Sequence, residues 1–529
     1  MTTTAPVFRP RLRSAVPLLA FGAAIAVPAL SQAADITVNN ITDAPRMPGL
    51  EGCECHSTLG FDECTLRAAV ETANACTSVN WIDFESTLAG ANFDLTIGGT
   101  SATTAADGDL DVTDGLRVEG SGQTIRSTTG ERIWDVYDNL VLESVSMTEG
   151  DAGAVDGPDG GCLRNDTSTA ALTFLDVHFF DCRADRNGGA VWTEGPIEYL
   201  GGSVLSNVAE NNGGGVYVFN ANAIIEIDTF NHNDAFGSGG NLMLWESGNA
   251  GPFSATVQVP VFHDGVAWGG HGGGLYTSFS LTQIVDTDIN WSRAGRYGGG
   301  IYAAHGDLVM ERVAVEGNEA GVNGGGIAKR NGLLEMTHSA VFGNEARNGA
   351  GIELHAQGTG GTAFADLVNV TISENVATAQ AGGLLLNRDT SARLESVSVA
   401  FNQADRAGGV SVTTNSSDLE LVNSFIAGNG AASLQGPDCI ALPGDILTPG
   451  GVSLIDGPAN CGVTPSASLL VGNALVTGTS GTSWMHVVNF QPSTPLVPGS
   501  DLDDGGLTCT PLDQRYAPRT GCDIGALEQ

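Results

Sequence analysis

Gly298-Gly299-Gly300-Ile301-Tyr302 is followed 26 residues later by Gly324-Gly325-Gly326-Ile327-Ala328, and the pattern recurs through the middle of the chain. Glycine-rich triplets begin at Gly160, Gly188, Gly213, Gly239, Gly272, Gly298, Gly324 and Gly349, at steps of 28, 25, 26, 33, 26, 26 and 25 residues. A period of this size sets the architecture before any single residue is weighed. It spells a solenoid, in which each unit buries its apolar face against the next.

The units share an internal order. Asn318-Glu319-Ala320 leads by six positions into Gly324, Asn207-Val208-Ala209 does the same into Gly213, and Asn344-Glu345-Ala346 precedes Gly349-Ala350-Gly351-Ile352. Gly and Asn tolerate positive φ, so they are read as the bends between short strands. Between the bends, runs such as Leu308–Val315 and Leu419–Ile426 alternate as strands with one buried face do. Two or three strands and no helical stretch per unit predict an all-β fold, a right-handed parallel β-helix. No Leu-x-x-Leu-x-Leu frame appears, and propeller blades need roughly 40 residues each. The segment from Asp107 to about Asn429 holds roughly twelve coils, a rod roughly 55 to 60 Å long at about 4.8 Å per layer.

An open stack needs caps. In Cys64–Ala73 the residues Leu66, Ala69, Val70 and Ala73 fall on one helical face, with Asp62 and Glu63 near the helix start. A short amphipathic helix covering the first coil is expected there. The domains read as a signal peptide over 1–33, an N-terminal cap segment over 34–106, β-helix repeats over 107–430 and a disulfide-bearing C-terminal module over 431–529.

Composition bounds the partners. Sixty acidic residues face 22 basic ones, for a formal charge of -38, which repels nucleic acid and anionic membranes. Arg9, Arg11 and Arg13 precede the apolar stretch Ala15 to Leu30, and Ser31-Gln32-Ala33 offers small residues for cleavage, so an exported chain is expected, secreted or at the cell surface. The ten cysteines fit an oxidising compartment. Cys53, Cys55, Cys64 and Cys76 cluster with open connectivity; Cys162 and Cys182, Cys439 and Cys461, and Cys509 and Cys522 are neighbours along the chain. A zinc site from Cys53, Cys55, His56 and Cys64 is the weaker alternative, because it lacks the Cys-x-x-Cys knuckle. No segment of the mature chain is apolar enough to span a membrane, and the oligomeric state is open.

Several of these residues carry a resemblance. Cys64-Thr65-Leu66-Arg67-Ala68-Ala69 followed by Asn74-Ala75 resembles the CSLREA motif of exported bacterial proteins, with Thr65 and Ala68 standing where that motif has Ser and Glu. Gly108-Asp109-Leu110-Asp111-Val112-Thr113 resembles the first-coil strand that follows it. Pro437-Asp438-Cys439, Asp513-Gln514-Arg515, Pro518-Arg519 and Gly521–Glu528 resemble the terminal module of choice-of-anchor Q proteins. The resemblance implies a surface or secreted β-helix of pectate-lyase-like fold, similar to polymorphic outer membrane protein repeats, with no established chemistry.

Aligning the triplets exposes a column for function. Position four is apolar throughout, whereas position five, on the opposite face, carries Trp192, Tyr217, Tyr276 and Tyr302. Flat rings along an exposed sheet stack on sugars or on a partner's apolar surface, and these four are the candidate contact strip; the alternative is stacking between neighbouring strands. Insertions at Glu246–Pro252 and Gln357–Gly361 are further candidate loops.

A carbohydrate lyase or hydrolase is the competing class. Gly270-His271-Gly272 and Asp286-Thr287-Asp288 resemble polygalacturonase motifs, but they stand in the reverse order and no Arg-Ile-Lys is present. Arg293, Arg296 or Lys329 would be the proton acceptor of a lyase. No residue is assigned to catalysis and no cofactor is expected, calcium being the one open candidate, without a defined site. Asp107–Asp114 is rich in calcium-type ligands, yet Val112 and Val118 break the EF-hand pattern, and alternation makes its acids a solvated strand face. The expected function is an exported, non-enzymatic β-helix for adhesion, envelope or glycan binding.

Overall fold

The computed structural model describes residues 35–492 apart from 51, 77–79, 100–104, 154–156, 249–250, 359, 415–416, 442–445, 451–452, 456–460, 462–468, 472–473 and 481–486. The proposed signal peptide, Cys509, Cys522 and the motifs of residues 513–528 lie outside the described residues.

The chain winds as a parallel β-helix of about twelve turns. Among the described residues its strands stack into three parallel sheets of 24, 11 and 13 strands, with a separate antiparallel pair, Ala474–Ser480 and Val487–Pro492. One turn shows the plan. Ile301–Ala303 belongs to the glycine-led sheet, Asp307–Glu311 and Ala314–Glu316 to the broad sheet, and Glu319–Asn323 to the short sheet. Each pairs in register with the next turn, as Ile301 with Ile327, Val315 with Val341 and Glu319 with Glu345. Position four of the triplets does fill the core: Leu163, Val191, Val216, Leu242, Leu275, Ile301, Ile327 and Ile352 form one column without solvent exposure. Each such side chain contributes about 1.5–3 kcal/mol on burial.

Glycine is required at the triplet for two reasons. The first glycine is left-handed, with φ of +66° at Gly213 and Gly298. The second lies against the neighbouring turn, so that a Cβ on Gly189 would stand 2.0 Å from the carbonyl oxygen of Gly214.

The other bend works differently from the expectation. Asn207, Asn318 and Asn344 do not carry the positive φ; the preceding residues do, Ser206 at +56°, Gly317 at +61° and Gly343 at +65°. The asparagines instead turn inward and form a buried ladder. Asn318 donates to Asn344 at 3.0 Å, Asn344 to Asn375 at 2.9 Å, Asn375 to Asn402 at 2.9 Å and Asn402 to Asn429 at 3.0 Å, side chain to side chain. Each amide also satisfies backbone groups that the turn would otherwise bury unpaired.

The cap is present. Helix α1, Leu66–Ala75, starts on Thr65, whose hydroxyl accepts from Ala68 N at 3.2 Å, and it buries Leu66, Ala69, Val70 and Ala73. Arg67 is buried as well, forked onto Asp43 at 2.6 and 3.1 Å and bonded to the carbonyl of Ala105 at 2.9 Å. That arginine ties the cap to the first turn.

The open connectivity resolves as Cys53–Cys76 and Cys55–Cys64, which leaves no thiolate for zinc; Cys162–Cys182 and Cys439–Cys461 pair as their neighbouring positions suggested. Four disulfides match an oxidising, extracytoplasmic compartment. No helix among the described residues is long and apolar enough to cross a membrane.

Candidate functional groove

The position-five column stands in register, but it is not the exposed strip expected. Trp192, Tyr217, Met243, Tyr276 and Tyr302 follow one another on adjacent strands. Trp192, Tyr217 and Tyr302 are only 8%, 3% and 7% exposed, and Tyr276 alone reaches solvent in part. The reason is the path of the chain into each triplet, which folds back over the outer face of this sheet. A Cβ on Gly213 would stand 2.8 Å from the Cβ of Tyr217, and one on Gly188 would stand 2.9 Å from that of Trp192. The opposite face of the sheet is therefore a second covered layer.

Of the enzyme-like motifs, Gly270-His271-Gly272 is absorbed into that layer, and Asp286-Thr287-Asp288 lies apart from it on the broad sheet. His271 stacks on Tyr302 with centroids 4.5 Å apart and on Tyr297 at 5.0 Å. Burial, with smaller help from Arg296 and Arg330, pushes its pKa down to about 4. Asp286 lies at a left-handed bend of the broad sheet, forked onto Arg312 at 2.5 and 2.8 Å. Lys329 is fully buried and donates to the carbonyls of His305, Gly306 and Asn331. The acids of Asp107–Asp114 also depart from expectation. Asp109 and Asp111 point outward from their strand yet are buried, and burial with the neighbouring Asp109 and Asp135 carboxylates pushes Asp111 up to about 8.

Exposed rings lie elsewhere: Phe61 in the cap segment, Trp245 at the end of a strand of the glycine-led sheet, and a group of three, Phe236, Trp268 and Trp291, around the short sheet. Trp291 precedes the strand Arg293–Ala294, and its indole is 54% exposed. Its backbone occupies the left-handed bend, φ +55°, where the next two turns place Gly317 and Gly343. The six-membered ring lies against Gly317, within 3.1–3.2 Å of where a Cβ would stand. Gly343 continues this shelf one layer on. The result is an open groove of about 460 Å³ lined by His263, Asp264, Trp291, Arg293, Gly317, Glu319, Gly343 and Glu345. It crosses four successive layers, roughly 14 Å at about 4.8 Å per layer. Arg293 reaches Glu319 at 3.6 Å and His263 reaches Asp264 at 2.9 Å, so its polar groups are paired but accessible.

The asparagine ladder is interrupted on the first two of these four layers, those of Asp264 and Trp291. Gly265 and Ser292 replace the amide, and Asn241 reaches in from the glycine-led sheet to bond Asn233 at 2.8 Å and the carbonyl of His263 at 3.0 Å. Just past the short strands, Phe236 and Trp268 occupy neighbouring layers, 51% and 60% exposed. The insertion at Glu246 lies across the next turn, its carboxylate accepting from Ser280 N at 3.0 Å, and does not line the groove.

The fold and this groove define the class, a parallel β-helix with a tryptophan-walled edge. No family model, no curated protein and no solved structure matches the chain.

Proposed function

We propose that this chain is an exported, non-enzymatic β-helix that binds glycans along the Trp291 groove in an adhesive or envelope role. The observation that carries this reading is Trp291, an exposed indole over a glycine shelf, flanked by charged groups able to accept and donate hydrogen bonds to hydroxyls. Large apolar side chains exposed at a groove favour contact with a partner, and a sugar ring offers both an apolar face and hydroxyls. The resemblance to CSLREA and choice-of-anchor Q proteins, the Arg9–Ala33 segment and the disulfides support export. Asp264, Glu319 and Glu345 against Arg293 make the groove acidic, as is the chain, so neutral or amino sugars suit it better than uronates.

A polysaccharide lyase or glycoside hydrolase is the competing reading. Of its candidates, His271 is engaged in stacking and Lys329 in carbonyl contacts, whereas Arg293 lines the groove, 3.6 Å from Glu319. A glycan array probed with the mature chain, followed by incubation with each bound glycan, tests the two together. Binding without new reducing or unsaturated ends is expected; new ends would overturn the reading in favour of catalysis.

A further inference from the structure

The outward column that carries Tyr217 and Tyr302 farther along the rod begins with carboxylates. Asp111, Asp135 and Arg164 are successive partners across three strands of the glycine-led sheet, and Asp109 stands two residues before Asp111. Asp109, Asp111 and Asp135 are 4%, 0% and 2% exposed, and an oxygen of each lies within 4.8 Å of an oxygen of both others.

Their partners are unequal. Arg132 bonds Asp109 at 3.1 Å, lies 3.6 Å from Asp135, and donates to the carbonyls of Gly157 at 2.8 Å, Gly160 at 3.1 Å and Asp159 at 3.3 Å. Arg164 forks onto Asp135, at 2.9 Å through Nε and closer through Nη2, and Tyr137 donates to the same carboxylate at 3.0 Å. Neither oxygen of Asp111 has a hydrogen-bond partner. Arg132 and Arg164 thus hydrogen-bond Asp109 and Asp135 but not Asp111, the most buried of the three. A bare carboxylate in that position is strongly unfavourable, and either a proton or a bound cation must neutralise it.

We infer that Asp109, Asp111 and Asp135 bind a single hard cation, of which calcium is the expected species. The donors are all oxygen, and their separation is one that calcium–oxygen bonds of about 2.3–2.6 Å bridge with two or three ligands around one centre. The location gives the ion a task. Asn74 of α1 donates to the carbonyl of Asp111 at 2.7 Å, and Arg67 of α1 contacts the carbonyl of Asp109 at 3.4 Å. An ion held by Asp109, Asp111 and Asp135 would tie the cap, the first turn and the second into one unit, where the rod is most open to fraying. The site is separate from the Trp291 groove, so its test is independent of glycan binding.

Calorimetric titration of calcium chloride into the chelator-treated full chain, with thermal unfolding alongside, tests the assignment. The expected result is one saturable site and a rise in Tm with calcium. Asp111→Asn keeps the shape and removes the unpaired charge. It should bind at least tenfold more weakly, since losing a ligand costs no less than the roughly 10–100-fold typical of losing an outer-shell partner. Its Tm in chelator should equal or exceed that of the parent. Absence of saturable binding in the parent, or undiminished binding in a folded Asp111→Asn chain, overturns the inference. Should that variant not fold, crystals of the parent grown with a lanthanide decide it: an anomalous peak among the three carboxylates supports the site, and peaks only elsewhere overturn it.

Discussion

Trp291 holds a left-handed backbone that costs a non-glycine residue about 1–2 kcal/mol, while the next two turns use glycine at the same bend. Its side chain returns little of that through packing, since more than half of it faces solvent. Replacing it tests whether the residue serves the fold or the groove. Trp291→Gly relieves the backbone and loses the contact with Gly317 and some unfolded-state restriction, so stability should change by less than about 1 kcal/mol. Thermal or urea denaturation checks this. A loss beyond about 2 kcal/mol would make Trp291 a packing residue. The ring was legible in the sequence only with a different alignment. Measured from the triplets, the bend falls eight, seven, seven and six residues upstream at Asp264, Trp291, Gly317 and Gly343, because the connection between short sheet and triplet varies in length. Aligned on Asn318-Glu319-Ala320 instead, Ser292-Arg293-Ala294 is its counterpart, and Trp291 falls where Gly317 stands.

Among elements, the asparagine ladder holds the second bend as the glycine triplets hold the first. Asn344 accepts from both the backbone N and the side-chain amide of Asn318 and donates to Asn375, Val315 and Phe342. Asn344→Ala leaves two buried donors on Asn318 without an acceptor, at roughly 1–3 kcal/mol each. A loss of about 3 kcal/mol is expected, read as a lower urea midpoint; Asn344→Ser, which copies Ser292, should lose less. An unchanged midpoint for the alanine variant would mean that water replaces the amide. The asparagines themselves stood out in the sequence, but their part in the bend did not. A left-handed backbone and a side-chain ladder both favour Asn, and only the fold separates them, by placing Asn207, Asn318 and Asn344 one residue past the turn. The capping helix was readable for the opposite reason. Leu66, Ala69, Val70 and Ala73 have a single plausible partner, the open end of the first turn. Arg67 stood in the motif, but its anchoring contact was not legible because its partner, Asp43, lies 24 residues away in sequence.

For the whole molecule, periodicity exposed the architecture because every turn meets the same neighbours at the same positions, so one pattern of glycine and apolar residues is written many times over. The proposed binding groove is written once. The aromatic column of Trp192, Tyr217, Tyr276 and Tyr302 repeats, and repetition marks it as structural layering beneath the chain's return path; the groove instead depends on single departures, an indole at Trp291 and bare backbone at Gly317 and Gly343. The acid cluster at Asp111 is likewise a local exception, hidden by an alternation that assigns direction but not burial. A long acidic rod with one tryptophan-walled edge is the picture that results. Its central claim is tested most directly by titrating the strongest array glycan into the parent chain, Trp291→Gly and Tyr276→Ala. Affinity should fall at least tenfold, about 1.4 kcal/mol, in Trp291→Gly and stay unchanged in Tyr276→Ala; equal binding by the parent and Trp291→Gly, or loss confined to Tyr276→Ala, would contradict it.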